Sequence, residues 1–273
     1  MSGSLVCVGT GMTLGAHISP IAKSHIAQAD IVFSLMANGF AERWLEEMNS
    51  DVRSLQGFYQ EGKNRNITYR EMVETILSEV RNGKKVVTAF YGHPGVFACV
   101  SHKAIKQAKL ENLPASMEPG ISAEDCLYAD LGIDPGRSGC MHYETSQFMF
   151  YKRNIDNSAH LILWQVALAG DKSLGKFATG KAYRQVLVDL LLEHYPSDHH
   201  VILYQAKGIA IEPMRADTIM LTELVDAELF MQTTLVIPPC EKMQPNDKVL
   251  ARLAEIDKQE TRTKNRPALS LVL

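Results

Sequence analysis

Short apolar runs alternate with stretches of helical periodicity along the first part of this chain. The run SLVCVGTG ends in glycines, and SPIAKSHIAQA reads as a helix with Pro20 in its first turn. DIVFSL predicts a second buried strand and FAERWLEEM a second helix. Beyond VRSLQGFY and a polar loop, TYREMVETILSEVRNG sets Met72, Val73, Ile76, Leu77 and Val80 at helical spacing, with Gly83 where a C-cap belongs. Thr68 and Glu71 have the spacing of a capping box, which puts Tyr69 at the first helical position. KKVVTAFYGHPGVF predicts a strand running into a turn rich in glycine and proline, VSHKAIKQAKLEN a helix, and ASMEPG a fifth strand. Strands alternating with helices imply a parallel sheet covered on both faces.

The pattern changes after the helix SAEDCLYADLG. Longer strand-like runs follow, HYETSQFMFY, AHLILWQVAL, HHVILYQA and TTLVIPP, with one strong helix, YRQVLVDLLLEHY, among them. A mixed sheet with antiparallel pairs is the natural reading. Two prolines and a glycine interrupt ENLPASMEPGIS, so the expected division is an N-terminal α/β domain at 1–116, a C-terminal α/β domain at 117–240, and a polar tail at 241–273 carrying the amphipathic segment NDKVLARLAEI.

Composition narrows the function classes. Of 273 residues, 46% are hydrophobic and 22% charged, ordinary for a folded chain long enough for a sizeable core. A net charge of −3 and a pI near 6.3 give no footprint for nucleic acid. No apolar run reaches the roughly 20 residues of a membrane span, and MSGSLVCVG lacks the layout of a secretion signal, so a cytoplasmic protein is expected. Five cysteines without CxxC spacing suit reduced thiols and argue against a metal site.

Three glycine-bearing strand ends then stand out. VGTGMTLG resembles a dinucleotide fingerprint only weakly, since its third glycine is displaced and no acidic residue closes the second strand. YGHPGVF sets Tyr91, His93 and Phe97 on a turn at the C-terminal end of a buried strand, where open α/β sheets bind ligands. Read without context, a rigid turn with satisfied aromatics explains it equally well. In MEPGISAEDCL, Ser122 is placed to cap a helix and could form a polar rim there. Finally, the loop in GFYQEGKNRNITYREMV gathers Tyr59, Arg65 and Tyr69, more chemistry than a connection requires.

In this order, VGTG, YGHPGVF and EPGISAEDCL resemble the S-adenosylmethionine-dependent tetrapyrrole methylase superfamily. The resemblance implies two α/β domains with the cofactor cleft between them. The segment GTGMTLGAHIS departs from the corrin and uroporphyrinogen enzymes, which continue the first turn as Pro-Gly-Asp. Tyr59, Arg65 and Tyr69, with YGHPGVFACVSHKAI and HLILWQVALAGD, look like the borosin peptide-backbone α-N-methyltransferases. The sequence is similar to the split type, which acts on a separate precursor peptide, because no extended core peptide follows the fold. What the resemblance implies is a homodimer, forming a heterotetramer with two precursors, that turns S-adenosylmethionine into S-adenosylhomocysteine. It assigns catalysis to Tyr59, Arg65 and Tyr69. It assigns cofactor contacts to Tyr91, His93, Val96, Phe97, Ser122, Ala123, Gln165, Tyr204 and Thr234.

A backbone amide is a poor nucleophile, because its lone pair is delocalised into the carbonyl. A guanidinium beside a phenol favours the phenolate, so one tyrosine is expected as base while Arg65 and the other hold the carbonyl oxygen. Which phenol is the base stays open. Two other functions compete with this one: a methyltransferase for a tetrapyrrole or another polycyclic acid, and a ligand sensor or scaffold without turnover.

Overall fold

The computed structural model describes residues 3–36 and 39–264. Residues 1–240 form one compact unit and 241–273 another. In the first unit, β1 (Ser4–Gly9), β2 (Ile31–Leu35), β3 (Val52–Ser54), β4 (Lys85–Phe90) and β5 (Ala115–Glu118) build a five-stranded sheet in the order β3-β2-β4-β1-β5. Every pairing is parallel, as the alternation predicts, and β1 runs beside β4 from Ser4↔Lys85 to Gly9↔Phe90. This register ends both strands level, so their turns open at the same edge. Helices α1 (Pro20–Gln28) and α2 (Gly39–Glu46) cover one face, through Ala22, Ile26, Ala41 and Leu45. Helices α3 (Arg65–Arg81) and α4 (Cys99–Leu110) cover the other, through Met72, Ile76, Leu77, Val80 and Ala104. Burial on both faces is why these strands read as continuous apolar runs.

The next elements are α5 (Ala123–Leu131), α6 (Pro135–Ser138), β6 (Cys140–Glu144), α7 (Thr145–Phe150), β7 (His160–Trp164), α8 (Lys181–Leu192), β8 (His200–Gln205), β9 (Arg215–Met220) and β10 (Thr234–Ile237). They form a second five-stranded sheet, β6-β7-β10-β8-β9. Its β6–β7 pair is parallel and the others antiparallel, the mixed sheet expected. Two details differ from the sequence reading. HYETSQFMFY is not one strand: it turns into α7 where the Glu144 carboxylate accepts the Gln147 N–H at 2.8 Å. The edge strand β9 escaped notice because its RADTIM side chains face mostly outward and carry no apolar alternation.

The second unit contains α9 (Asp247–Lys264), longer than the predicted NDKVLARLAEI segment. Among the described residues no helix is long and apolar enough to cross a membrane, no three His, Cys, Asp or Glu side chains converge as metal ligands, and the five cysteines are free.

Candidate active site

At the C-terminal edge of the parallel sheet, the turns after β1, β4 and β5 meet through glycine. A Cβ on Gly9 would lie 2.5 Å from the Gly92 carbonyl oxygen and 2.7 Å from Gly120 Cα. Gly11 and Gly92 exchange backbone hydrogen bonds of 2.9 and 3.1 Å, which lock two of the turns together. Only glycine permits this approach, and it leaves a floor of main chain from which larger side chains rise.

Those side chains come from both sheets. Phe97 holds a left-handed backbone at φ 50°, a conformation costly for a bulky residue, and half of it stays open to solvent. Its ring stands 5.3 Å from that of Trp164, at the end of β7. Gln165 follows at φ 57°, also left-handed. Two residues with left-handed backbones thus flank the Phe97–Trp164 contact. Behind them, Trp164 Nε1 donates to His142 Nδ1 at 3.1 Å, and His142 Nε2 lies 2.8 Å from the Tyr128 hydroxyl. Tyr128 donates to Glu124 at 3.0 Å. Since His142 Nδ1 accepts, Nε2 carries the proton, and a neutral imidazole satisfies the whole chain. Burial keeps the His142 imidazole below its usual range, with Glu124 opposing that only in part.

The remaining expected cofactor residues fall into two groups. His93 and Val96 line the same turn, and His93 Nδ1 accepts the Gly95 N–H at 2.9 Å, so part of its duty is to shape the turn. Ser122 caps α5 in a reciprocal box with Asp125, and Ala123 begins that helix against the second sheet. The side chains of Tyr204 and Thr234, by contrast, are sealed in the protein at 1% and 2% exposure, paired across β8 and β10. Tyr204 donates to Asp130 at 2.7 Å. Neither side chain is open to a ligand.

The polar loop lies beside Tyr91. Tyr59 and Tyr69 meet edge to face with ring centroids 6.4 Å apart. The Arg65 guanidinium sits 5.6 Å from the Tyr59 ring and 5.6 Å from that of Phe177, and donates to the Lys176 carbonyl at 3.1 Å. Burial pushes the Tyr59 phenol well above its ordinary value, and nearby Tyr69 adds to that push. The Arg65 charge acts the other way but is outweighed. The phenolate that the guanidinium was expected to favour is therefore not the resting form of Tyr59. Tyr91 borders a recess with Met12, Leu14 and Met36 and is 48% exposed.

A second correction concerns the start of α3. Asn64 is the cap, its side chain accepting the Asn66 N–H at 2.9 Å, and the helix begins at Arg65. Thr68 is buried one turn further on, with its hydroxyl toward the Phe58 carbonyl, and Glu71 pairs with Lys63. Tyr69 is thus inside the helix, too far along for the helix end to act on it strongly.

Sequence reasoning missed the partner of this loop. Asn64 Nδ2 donates to the Ser173 carbonyl at 2.8 Å, the Arg65 N–H to Leu174 at 2.9 Å and the Gly62 N–H to Gly175 at 2.8 Å. The Glu61 carboxylate accepts the Phe177 N–H at 3.1 Å, so it is not paired with Arg65 as a plain surface loop would suggest. Segments more than a hundred residues apart are stitched together, and only the glycines and the lone Asp171 in the second segment hinted at it.

Two sheets of this order around a glycine-floored edge are a known arrangement. The sequence profile of the tetrapyrrole (corrin/porphyrin) methylases matches residues 4–220. The chain belongs to that family. These methylases use S-adenosylmethionine. The chain superposes on uroporphyrin-III-C-methyltransferase of Thermus thermophilus with a TM-score of 0.62, covering 88% of this chain and 93% of that one at 16% identity. It is 41% identical to a methyltransferase/ribosomally synthesized cyclic peptide gymnopeptides precursor of Gymnopus fusipes, over 92% of this chain and 61% of that protein. It is 43% identical to a methyltransferase/type I borosin cyclic peptide precursor of Coprinopsis marcescibilis, over 75% of this chain and 53% of that protein. The chain thus spans between 53% and 61% of the length of these curated relatives, whose names join methyltransferase and precursor.

Proposed function

We propose that this chain methylates backbone amide nitrogens of a ribosomally made precursor peptide supplied on a separate chain, as a homodimer that forms a heterotetramer with two precursors. The observation that carries the reading is the Tyr59–Arg65–Tyr69 cluster beside Tyr91, braced against Phe177. Methylation of an electron-rich ring carbon needs no such set of phenols around a guanidinium. The named relatives add support, since both are described as methyltransferases joined to cyclic-peptide precursors.

The cleft residues suit S-adenosylmethionine. The open faces of Tyr91 and Phe97 fit a flat base and a sulfonium cation, the main-chain floor allows close approach, and the strained Phe97 and Gln165 are what a shaped ligand wall produces. Tyr91, His93, Val96, Phe97, Ser122, Ala123 and Gln165 would hold it, with Tyr204 packed behind Ala123 and Trp164 and Thr234 paired beside it. When bound, it supplies an electrophilic methyl group.

The protein's part is to make the amide reactive. Tyr59 is held protonated by burial and by its neighbour, so it serves as a hydrogen-bond donor to the peptide carbonyl oxygen beside Arg65. Negative charge gathers on that oxygen as the N–H proton leaves, and Arg65 stays cationic throughout. Tyr69 is our choice for the base: as its phenolate it takes up the amide proton and becomes the neutral phenol, while the Tyr59 proton stays on the Tyr59–carbonyl bond.

Mass spectrometry of a hydrophobic precursor peptide incubated with the chain and S-adenosylmethionine tests this. Methyl increments localised to backbone nitrogens are expected. Methylation of a tetrapyrrole acid with none on peptide, or cofactor binding without turnover, overturns it.

A further inference from the structure

The Arg65 guanidinium owes its position to a turn in the other half of the unit, and that turn is organised by one carboxylate. Asp171 is 6% exposed. Its Oδ1 accepts the Ser173 N–H at 2.9 Å and the Ser173 hydroxyl at 2.5 Å; its Oδ2 accepts the Gly175 N–H at 3.1 Å and the Lys176 N–H at 3.0 Å. Burial alone would raise this carboxyl, yet the bonds from Ser173, Lys176 and Gly175 hold it below its ordinary value. With the N–H groups drawn inward, the carbonyls of residues 173–176 point outward. Each of the four accepts a bond from Gly62, Asn64 or Arg65. Leu174 is bent to φ 54° to allow this, and Gly175 packs so near Gly62 that a Cβ there would come within 3.2 Å of its backbone.

We propose that Asp171 is a positioning residue for Arg65, setting the guanidinium between Tyr59 and Phe177 through the 173–176 turn. Asp171 touches neither Arg65 nor the cleft aromatics. Its effect on chemistry, which rests on the function proposed above, passes entirely through that turn. Asp171→Asn removes the charge and two acceptor positions while nearly keeping the shape. Phe177→Leu leaves the turn intact and removes only the aromatic face over the guanidinium.

Two measurements on the full chain test this. Hydrogen exchange by mass spectrometry, which needs no substrate, should show faster exchange at 61–65 and 173–177 in Asp171→Asn, with β7 and β10 unchanged. Unchanged exchange at 61–65 overturns the proposal, whatever the chain methylates. In the peptide assay Asp171→Asn should lower kcat about 10²-fold, the cost typical of a small misplacement, with KM and cofactor affinity nearly unaltered. Phe177→Leu should lower kcat about three- to tenfold. Combining Asp171→Asn with Arg65→Lys should slow the enzyme no further than Arg65→Lys alone, because a group acting through Arg65 has nothing left to position. Losses that multiply overturn the positioning role. If the parental chain methylates no peptide, the function proposal fails and exchange alone decides this one.

Discussion

Arg65 is held by two aromatic faces and one carbonyl, which decides what a lysine would do in its place. Lysine keeps the charge but has neither the plane to stack nor the fork to reach the carbonyl and a substrate together. Arg65→Lys and Tyr59→Phe should each cost about 10²–10³ in turnover with cofactor affinity nearly unchanged, as titration calorimetry beside the peptide assay would show. Parental rates in both variants would make the loop structural. His142 gives a pH prediction. Its folded pKa lies below the ordinary 6.5, so the unfolded chain takes up the proton first. Its contribution to stability is complete above pH 6.5 and is lost as pH falls toward the folded value. Protonation at Nδ1 also breaks the Trp164 bond behind Phe97. Melting temperature followed from pH 7.5 to 5 should decline, less so in His142→Asn, which offers an amide oxygen in that acceptor's place.

At the scale of elements, caps and glycines separate cleanly into conformational and steric roles. Asn64→Ala should destabilise by about 1 kcal/mol, the usual worth of an N-cap, and loosen the loop before α3. Gly132 ends α5 at φ 64° with open space around its α-carbon, so Gly132→Ala should cost about 1–2 kcal/mol from backbone conformation alone. Gly9→Ala meets backbone on two neighbouring turns and should lose far more, with the cofactor affinity lost as well. Chemical denaturation of the three variants checks the order. The buried parallel strands were legible in the sequence because continuous apolar runs between capped helices have few other readings. Helix α7 was not, since TSQFMF follows an alternating run and only Glu144 announces it. The start of α3 was misread because Thr68 and Glu71 imitate a cap that Asn64 provides.

For the molecule as a whole, the two sheets keep separate cores, Leu5 with Met72 and Ile76 in one, Leu163 with Leu187 and Leu235 in the other. Catalytic candidates could be named from sequence because the loop bearing them is local. Their brace could not, since it exists only when residues 61–65 meet 173–177 in the folded chain. Under the proposed function the cleft has to close around an extended peptide to exclude water, so sedimentation should give a dimer. On the repeat of Val249, Leu250, Leu253 and Ile256 along α9, Leu253→Asp should weaken self-association; an unaltered dimer would remove α9 from the contact. The seam between the two loops has an evolutionary consequence of its own. Four of its bonds end on main-chain carbonyls whatever side chain stands there, so substitution at Lys172 or Lys176 changes little that the seam depends on. A single inserted or deleted residue between Asp171 and Phe177 would instead shift every carbonyl out of step with its donor at once. Lineages descended from this fold should therefore vary at positions 172 and 176 while keeping Asp171, Gly175 and the length of the segment fixed.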